Sequence, residues 1–423
     1  MKKTTGIVLA VIMSLCAAPH LYAAMEITPR LSVGTEYTDN VRLVSDDAEP
    51  GPESDYITSV TPGITIDLSG RPAGLALSYD PSYVDYYDDT YDAYWSHAAS
   101  ADGWWQAARN TRLSLTHAFL QTEDPIDEYD LTIRRSRNTY TRNTTSARID
   151  HQFGAENTVY ADGSYSSLEN DDPTIEDSQN YGGGAGLTYW FNIRWGVEIG
   201  GDYYEGRYDE GLDDYSEITG RFRGNHRFNP HLTGFLSYEQ TLHRPVEDLD
   251  PDYDVYDGAV GIDYAIGPTM DLTVGVHYVY LDVEDGDSES VTPVNVSLTK
   301  RFQRGSISLS GEGGYNYTSV TAEDLGVYEY YEASLTADYG FTRRLTGDIE
   351  GVYGSRDYLE TTPRREDDTL RVGCGLSFQL LRWMSVRAGY TYRTVDSTID
   401  ADDYKENRAS LMVTLAPDQP FRF

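Results

Sequence analysis

The chain has 423 residues, a formal net charge of −36 and 36 tyrosines. This acidity argues against nucleic-acid binding, and the many aromatic residues argue against a disordered chain. Of its two cysteines, Cys16 lies in the leader described next, so Cys374 has no partner for an internal disulfide.

The first 23 residues have the composition of a secretory signal peptide. Two lysines precede an apolar run over residues 6–15, and Leu21-Tyr22-Ala23 forms a cleavage site. A lipoprotein signal is the alternative, but a leucine rather than a small residue precedes Cys16. We expect residues 1–23 to be removed and residues 24–423 to form one domain outside the cytoplasm.

Tight turns recur along the mature chain at intervals of about 38 residues. At Tyr189–Val197 alternating apolar residues run into Asn192, and the alternation resumes at Trp195, as in a hairpin between two strands. The nine turns are centred on Pro72, Arg109, Ala155, Ile193, Pro230, Pro268, Arg304, Arg343 and Arg382.

Longer segments rich in Asp and Glu separate the hairpins, at 45–54, 87–92, 123–138, 169–178, 209–214, 244–252, 284–289, 320–326, 359–366 and 396–403. Nine turns and ten loops separate 20 strands, and a tilted strand needs about 9–11 residues to cross a bilayer. The sequence predicts an all-β fold, a transmembrane antiparallel up-and-down β-barrel of about 20 strands, with 18 as the alternative count. A β-propeller has a similar repeat length but would not leave two classes of connection.

Charged residues follow one phase of the alternation, and apolar residues follow the other. Ile218 and Phe222 oppose the charged neighbours that flank them, and such charge is tolerated only on a face that meets water. We expect Glu217, Arg221, Arg223, Arg227, Asp348, Glu350, Arg371, Arg387 and Arg393 to line the lumen. These charges could also form a salt-bridged, space-filling lumen, and an amphipathic periplasmic sandwich would show a similar alternation.

Other side chains suggest contacts with the membrane. Trp and Phe lie beside short turns and Tyr crowds the loop ends, which predicts two aromatic girdles. Cys374 lies on an apolar phase and is expected to act as a small hydrophobe. Arg134, Arg135, Arg137 and Arg142 form a candidate surface cluster for lipopolysaccharide phosphates or an anionic polymer.

No pattern in the sequence indicates catalysis, a cofactor or a metal site. The histidines are scattered, without a Gly-x-Ser-x-Gly companion or an i, i+4 pair. The acidic stretch 248–254 begins like a calcium loop but lacks its glycine and terminal glutamate. We expect a non-enzymatic protein, and a rim enzyme is the alternative.

The stretch Glu36-Tyr37-Thr38-Asp39-Asn40, followed by Thr61-Pro62-Gly63, resembles the "putative β-barrel porin" family of outer-membrane proteins found with exopolysaccharide loci. The resemblance implies a conduit for exopolysaccharide, with polysaccharide as cargo and a periplasmic export partner. For such a barrel we also expect contact with outer-membrane lipid and lipopolysaccharide, and both termini in the periplasm. The alternatives are a general or solute-specific porin and a barrel that sheathes a partner such as a multihaem cytochrome.

Overall fold

The computed structural model describes residues 24–125, 137–209, 214–246, 251–284, 286, 288–317 and 326–423, and the predicted leader lies outside them. The strands are β1 (Ala24–Thr38), β2 (Asp55–Ser69), β3 (Ala73–Tyr86), β4 (Tyr94–Ala108), β5 (Thr111–Thr122), β6 (Tyr140–Gln152), β7 (Thr158–Asn170), β8 (Ser178–Trp190), β9 (Trp195–Tyr208), β10 (Tyr215–Asn229), β11 (Leu232–Pro245), β12 (Tyr253–Ala265), β13 (Met270–Val283), β14 (Glu289–Val291), β15 (Val294–Phe302), β16 (Gly305–Tyr317), β17 (Val327–Gly340), β18 (Leu345–Tyr358), β19 (Arg365–Leu381), β20 (Met384–Ser397), β21 (Tyr404–Leu415) and β22 (Phe421–Arg422). The described residues contain no helix able to span a membrane.

The sheet closes on itself. Neighbouring strands pair antiparallel along the chain, and β1 completes the circle by pairing with β21. Strands β14 and β15 both pair with β13 and form one wall strand that is interrupted at Pro293, while β22 only extends the last strand. The described residues therefore build a closed barrel with 20 wall strands, and the predicted fold is confirmed.

The nine short turns lie at one end of the barrel and the ten longer connections at the other, as predicted. Side chains at the turns satisfy the backbone locally. The Asn192 side-chain oxygen accepts from the backbone N–H groups of Arg194 (2.9 Å) and Trp195 (3.1 Å), and the Thr342 hydroxyl does the same for Leu345 (3.0 Å). We call the two ends of the barrel the short-turn end and the long-loop end.

Alternate side chains face opposite sides of the wall. On β10, Ile218 is 51% exposed and Phe222 is 43% exposed, whereas Asn225 on the other phase is buried. Large apolar residues repeat this exposure on the outward phase around the barrel, and the inward phase carries the charges except near the long loops, where Glu329, Asp357 and Glu366 face outward. The wall is thus apolar outside and polar inside.

The chain terminus takes part in closing the barrel. After a gap that contains Pro417 and Pro420, β22 pairs with β1, and Arg422 donates to Glu26 at 2.8 Å. The backbones of Phe423 and Met25 also exchange hydrogen bonds. The last wall strand ends at Leu415, and the tail that follows continues its pairing with β1.

The predicted sorting of aromatic residues holds only in part. Tyr37 and Tyr56 face outward and touch at a ring-centroid distance of 5.1 Å, in keeping with a girdle. Trp95 is exposed at the long-loop end, which breaks the expected sorting of Trp to the short turns. Tyr86 and Tyr94, which we also expected in the girdle, are buried because they lie on the inward phase.

Cys374 is exposed on the outward phase of β19, between Val372 and Leu376. We expect a lipid-soluble maleimide to label it in reconstituted protein and a membrane-impermeant maleimide to leave it unmodified. The matched control is Cys374→Ser with Thr391→Cys, which moves the thiol to the inward phase of the neighbouring strand. Equal labelling of both thiols by the impermeant reagent would contradict the assignment of faces.

Candidate functional site: the barrel lumen and its mouth

The predicted lumen residues lie on the inward phase, and most of them form ion pairs. Arg387 on β20 makes a bidentate pair with Asp348 on β18, with both N–O distances at 2.7 Å. Arg371 lies 3.3 Å from Glu350, and Arg227 lies 2.9 Å from Glu156. A function for these side chains in lining a permeable pore remains a prediction.

Some of these pairs reach across an intervening strand. The Arg387–Asp348 pair passes over Gly375 of β19, and the Arg30–Asp80 pair passes over Gly63 of β2. A Cβ at either glycine would collide with the charged groups above it. Glycine on the middle strand is therefore what allows the outer two strands to be bridged.

Arginines of β10 are held in the same way. Arg221 pairs with Asp202, and Arg223 pairs with Asp263 while its guanidinium lies 3.8 Å from the ring centroid of Phe235. Charge-compensated arginines of this kind hold the lumen wall in place without creating a strong site for a single ion. These residues therefore form the salt-bridged lumen that the sequence left open as an alternative.

Several further carboxylates face the lumen beside Arg221 and Arg223. Glu239 on β11 lies directly opposite Asp257 on β12, and Glu312 on β16 lies directly opposite Glu332 on β17. Glu239, Asp257 and Glu312 line one inner cavity of about 570 Å³. Like charges directly opposite each other on a sheet are destabilising, and Asp257 is partly compensated by Nδ1 of His277 at 2.9 Å. We call these four side chains the lumen carboxylates.

Glu217 lies on the inward phase of β10 near the long-loop end. Its carboxylate lies 3.7 Å from Nδ1 of His243, which is fully buried. The His243 ring lies between two tyrosines, with its centroid 4.7 Å from that of Tyr215 and 4.4 Å from that of Tyr253. These stacked rings connect β10, β11 and β12 near the long-loop end.

Buried apolar residues gather at the long-loop end in several separate packed groups. Their members face inward, and we call them the mouth cluster: Val84, Tyr86, Tyr94, Tyr140, Tyr215, Tyr253, Val279, Leu281, Tyr328, Tyr358, Val395 and Tyr404. In an open barrel of this size, inward side chains at the rim would contact water. Their burial shows that the mouth is packed.

Loop 1, which we define as residues 39–54, enters this packing. Val41 and Leu43 are each 1% exposed; Val41 packs with Val84, Tyr86 and Tyr94, and Leu43 packs in a separate cluster with Val395 and Tyr404. Leu43 has a φ of 54°, in the left-handed region that side chains rarely adopt. The buried contacts of loop 1 outweigh this local strain.

The Glu36–Asn40 stretch fastens loop 1 to the far end of the chain. The Thr38 hydroxyl donates to Glu406 (2.9 Å), and Asp39 accepts two hydrogen bonds of 2.7 Å from Asn407. The Asn40 amide donates to the carbonyls of Val44 (2.8 Å) and Lys405 (3.0 Å). The stretch on which the family resemblance rests is therefore a latch between β1, loop 1 and β21.

Arg137 corrects one prediction from the sequence. Its side chain is only 5% exposed, and its guanidinium donates to the Val41 carbonyl (3.3 Å), the Tyr86 hydroxyl and Asp124 (3.2 Å). Arg142 also lies on the inward phase of β6, while Arg134 and Arg135 lie outside the described residues. Arg137 is thus part of the packed mouth, because its charge is satisfied there by a carbonyl and a carboxylate.

Arg393 lies below loop 1 in a second inner cavity of about 360 Å³, together with Arg137, Arg408 and Glu36. Arg408 pairs with Glu36 (3.2 Å) and Glu406 (2.8 Å). Within loop 1, the hydrogen bond to Glu53 raises the pKa of the Arg42 guanidinium.

The described residues contain no group of three or more His, Cys, Asp or Glu side chains arranged to hold a metal ion.

The mouth cluster and the entry of loop 1 into it were not predicted from the sequence. The sequence did contain a sign of the mouth cluster, because Tyr86 shares its strand phase with the polar Ser78, Asp80 and Ser82 and therefore faces inward.

Comparison with known proteins agrees with this architecture. Residues 316–417 match the family model described as "Putative beta-barrel porin 2". None of the curated proteins compared matches the chain. Among solved structures, the siderophore receptor PirA from Pseudomonas aeruginosa superposes with a TM-score of 0.53 at 9% identity, covering 92% of this chain and 80% of the receptor.

Two further structures are similar. A mutant of the ferric enterobactin receptor PfeA from Pseudomonas aeruginosa has a TM-score of 0.53 at 8% identity, covering 94% of this chain and 81% of that one. The outer membrane protein OpdK of the same organism has a TM-score of 0.44 at 11% identity, covering 93% and 99%. At such identities the receptors establish the fold alone. The chain therefore has the closed β-barrel fold of these proteins, and its resemblance to the β-barrel porin family is confirmed by the match over residues 316–417.

Proposed function

We propose that this barrel carries an exopolysaccharide through its lumen, with the long-loop end at the cell surface and both termini in the periplasm. The observation that carries the proposal is the mouth cluster, in which tyrosines face inward around the exit. Tyrosine presents a flat apolar ring with a polar hydroxyl, which suits the faces and edges of sugar rings. The ion-paired lumen supports a neutral or weakly charged polymer as cargo, because its arginines are already compensated.

Transport requires that the packed mouth opens. Loop 1 is held by noncovalent contacts to β21 and Arg137, so it can leave the lumen without unfolding the wall. We propose that a periplasmic export partner delivers the chain to the short-turn end. No covalent chemistry is needed for passage.

A solute-specific or general porin is the second candidate, and the lumen carboxylates favour it. Glu239, Asp257 and Glu312 around one cavity suit small cations rather than a sugar polymer. In this case the mouth would regulate the passage of ions and small solutes.

The test is single-channel conductance of the refolded protein in a planar bilayer, with a neutral glucan or an acidic polyuronate added on the short-turn side. We expect the neutral polymer to block the current reversibly, and Tyr215→Ala with Tyr253→Ala to weaken that block several-fold. Outward-facing Tyr238→Ala with Tyr278→Ala is the matched control. A steady current that ignores both polymers would favour the porin, and a folded barrel that never conducts would contradict both functions.

A further inference from the structure

Arginines mark the short turns. Most turns carry at least one exposed arginine, and we call the set the arginine rim: Arg71, Arg109, Arg194, Arg304, Arg343, Arg344 and Arg382. They are spread around the circumference, from the β2–β3 turn to the β19–β20 turn. The rim is therefore a ring of positive charge on a strongly acidic protein.

The carboxylates near the rim do not neutralise it. Glu156 is engaged by Arg227 at 2.9 Å, and Asp271 is engaged by Arg301 at 2.7 Å. Asp418 lies 3.7 Å from Arg382, but both side chains are mostly exposed and such pairs are weak. The positive charge at this end stays available to a partner.

The rim lies beside aromatic residues that face outward. Arg194 precedes the exposed Trp195, and Arg382 precedes the exposed Trp383. Arg304 lies two residues beyond the exposed Phe302. Outward aromatic rings of a membrane barrel lie at the level of the lipid headgroups. The guanidinium groups are thus placed at the height of the lipid phosphates.

The outer wall at the opposite end has the reverse charge. Glu329, Asp357 and Glu366 are neighbours in register on β17, β18 and β19, and all three lie on the outward phase near the long loops. Arg364 pairs with Asp357, so Glu329 and Glu366 leave this patch with a net negative charge that would repel an anionic headgroup. The two rims therefore distinguish the two leaflets by charge.

We propose that the arginine rim binds the phosphate groups of anionic phospholipids in the leaflet that surrounds the short-turn end. The planar guanidinium can donate two parallel hydrogen bonds to a phosphate, which the ammonium of lysine cannot do with the same geometry. A ring of such contacts would collect anionic lipid around the barrel. It would also fix which leaflet receives the short turns.

The test uses tryptophan quenching by brominated lipids. In vesicles of phosphatidylcholine and phosphatidylglycerol, Trp105, Trp195 and Trp383 report on lipid at the short-turn end, and Trp95→Phe removes the signal from the other end. We expect brominated phosphatidylglycerol to be preferred several-fold over brominated phosphatidylcholine. The preference should fall as salt is raised, because salt screens exposed charges.

The decisive variant replaces six rim arginines: R71Q, R109Q, R194Q, R304Q, R343Q and R382Q. We expect the lipid preference to fall to about one, whereas R42Q, R207Q and R364Q at the long-loop end should leave it unchanged. If the sixfold variant does not fold, its two halves (R71Q/R109Q/R194Q and R304Q/R343Q/R382Q) should each lose part of the preference. Arg→Lys at the six positions should give an intermediate ratio.

Two outcomes would overturn the proposal. One is a wild-type ratio near one, or a ratio that the six substitutions do not change. The other is binding of a soluble polyuronate in detergent that is lost in the sixfold variant while the lipid ratio is unaffected, which would assign the rim to a soluble polyanion. Neither outcome bears on the conductance test of the proposed function.

Discussion

Val41→Ala together with Leu43→Ala should raise the open fraction of the reconstituted barrel, with openings that are longer and more frequent than in the wild type. Both side chains are fully buried in the mouth, and each contributes roughly 1.5–3 kcal/mol by leaving water. A combined loss of roughly 3–6 kcal/mol is comparable to the about 5.5 kcal/mol that moves a two-state equilibrium from 1:99 to 99:1. Loop 1 should therefore spend much of its time outside the lumen.

The measurement is single-channel recording at fixed voltage and salt. The matched control is Ile175→Ala with Val246→Ala, which removes apolar side chains from two other long connections without touching the mouth cluster. A second variant, Asp39→Ala with Asn40→Ala, breaks the latch to β21 and leaves Val41 and Leu43 in place. If both loop 1 variants conduct like the wild type, the mouth is not closed by loop 1.

Neutralising the lumen carboxylates should abolish most of the cation preference of the channel. The variant is Glu239→Gln, Asp257→Asn, Glu312→Gln and Glu332→Gln, which keeps the size of each side chain. Negative charge on the walls of a narrow, low-dielectric passage raises the local concentration of cations and excludes anions. We expect the wild type to favour K⁺ over Cl⁻ and the variant to approach equal permeability.

The reversal potential in a KCl gradient measures this preference. Asp348→Asn with Arg387→Gln is the control, because it removes an inward ion pair of zero net charge. The control should change the conductance more than the selectivity. A wild-type channel without cation preference, or a quadruple variant that retains it, would show that the selectivity is set elsewhere, for example by the acidic loops.

The two predictions address separate parts of one path. The mouth cluster and loop 1 decide whether the lumen is open, and the lumen carboxylates decide which ions follow once it is. A polymer with little charge would meet the tyrosines at the mouth and the compensated arginines below it. The loop 1 variant and the quadruple carboxylate variant therefore also show whether polymer block arises at the mouth and ion selectivity arises deeper in the lumen.

The sequence by itself determined the wall of this barrel. Turn residues such as Asn192 and Thr342 act on backbone groups two or three positions away, so each hairpin is encoded locally. The alternation of apolar and polar residues has a period of two, which assigns each strand residue to a face without knowledge of its neighbours. For these reasons the nine turns, the ten loops and the inward phase were predicted correctly from residue order.

Only the tertiary structure decided what happens inside. Thr38 and Glu406 are 368 positions apart, and they meet because closing the sheet brings β1 beside β21. The same closure gives Arg137 a carboxylate and the carbonyl of Val41, so a residue expected on the surface is buried at the mouth. Long-range contacts of this kind depend on the curvature of the whole wall, which no local pattern of residues records.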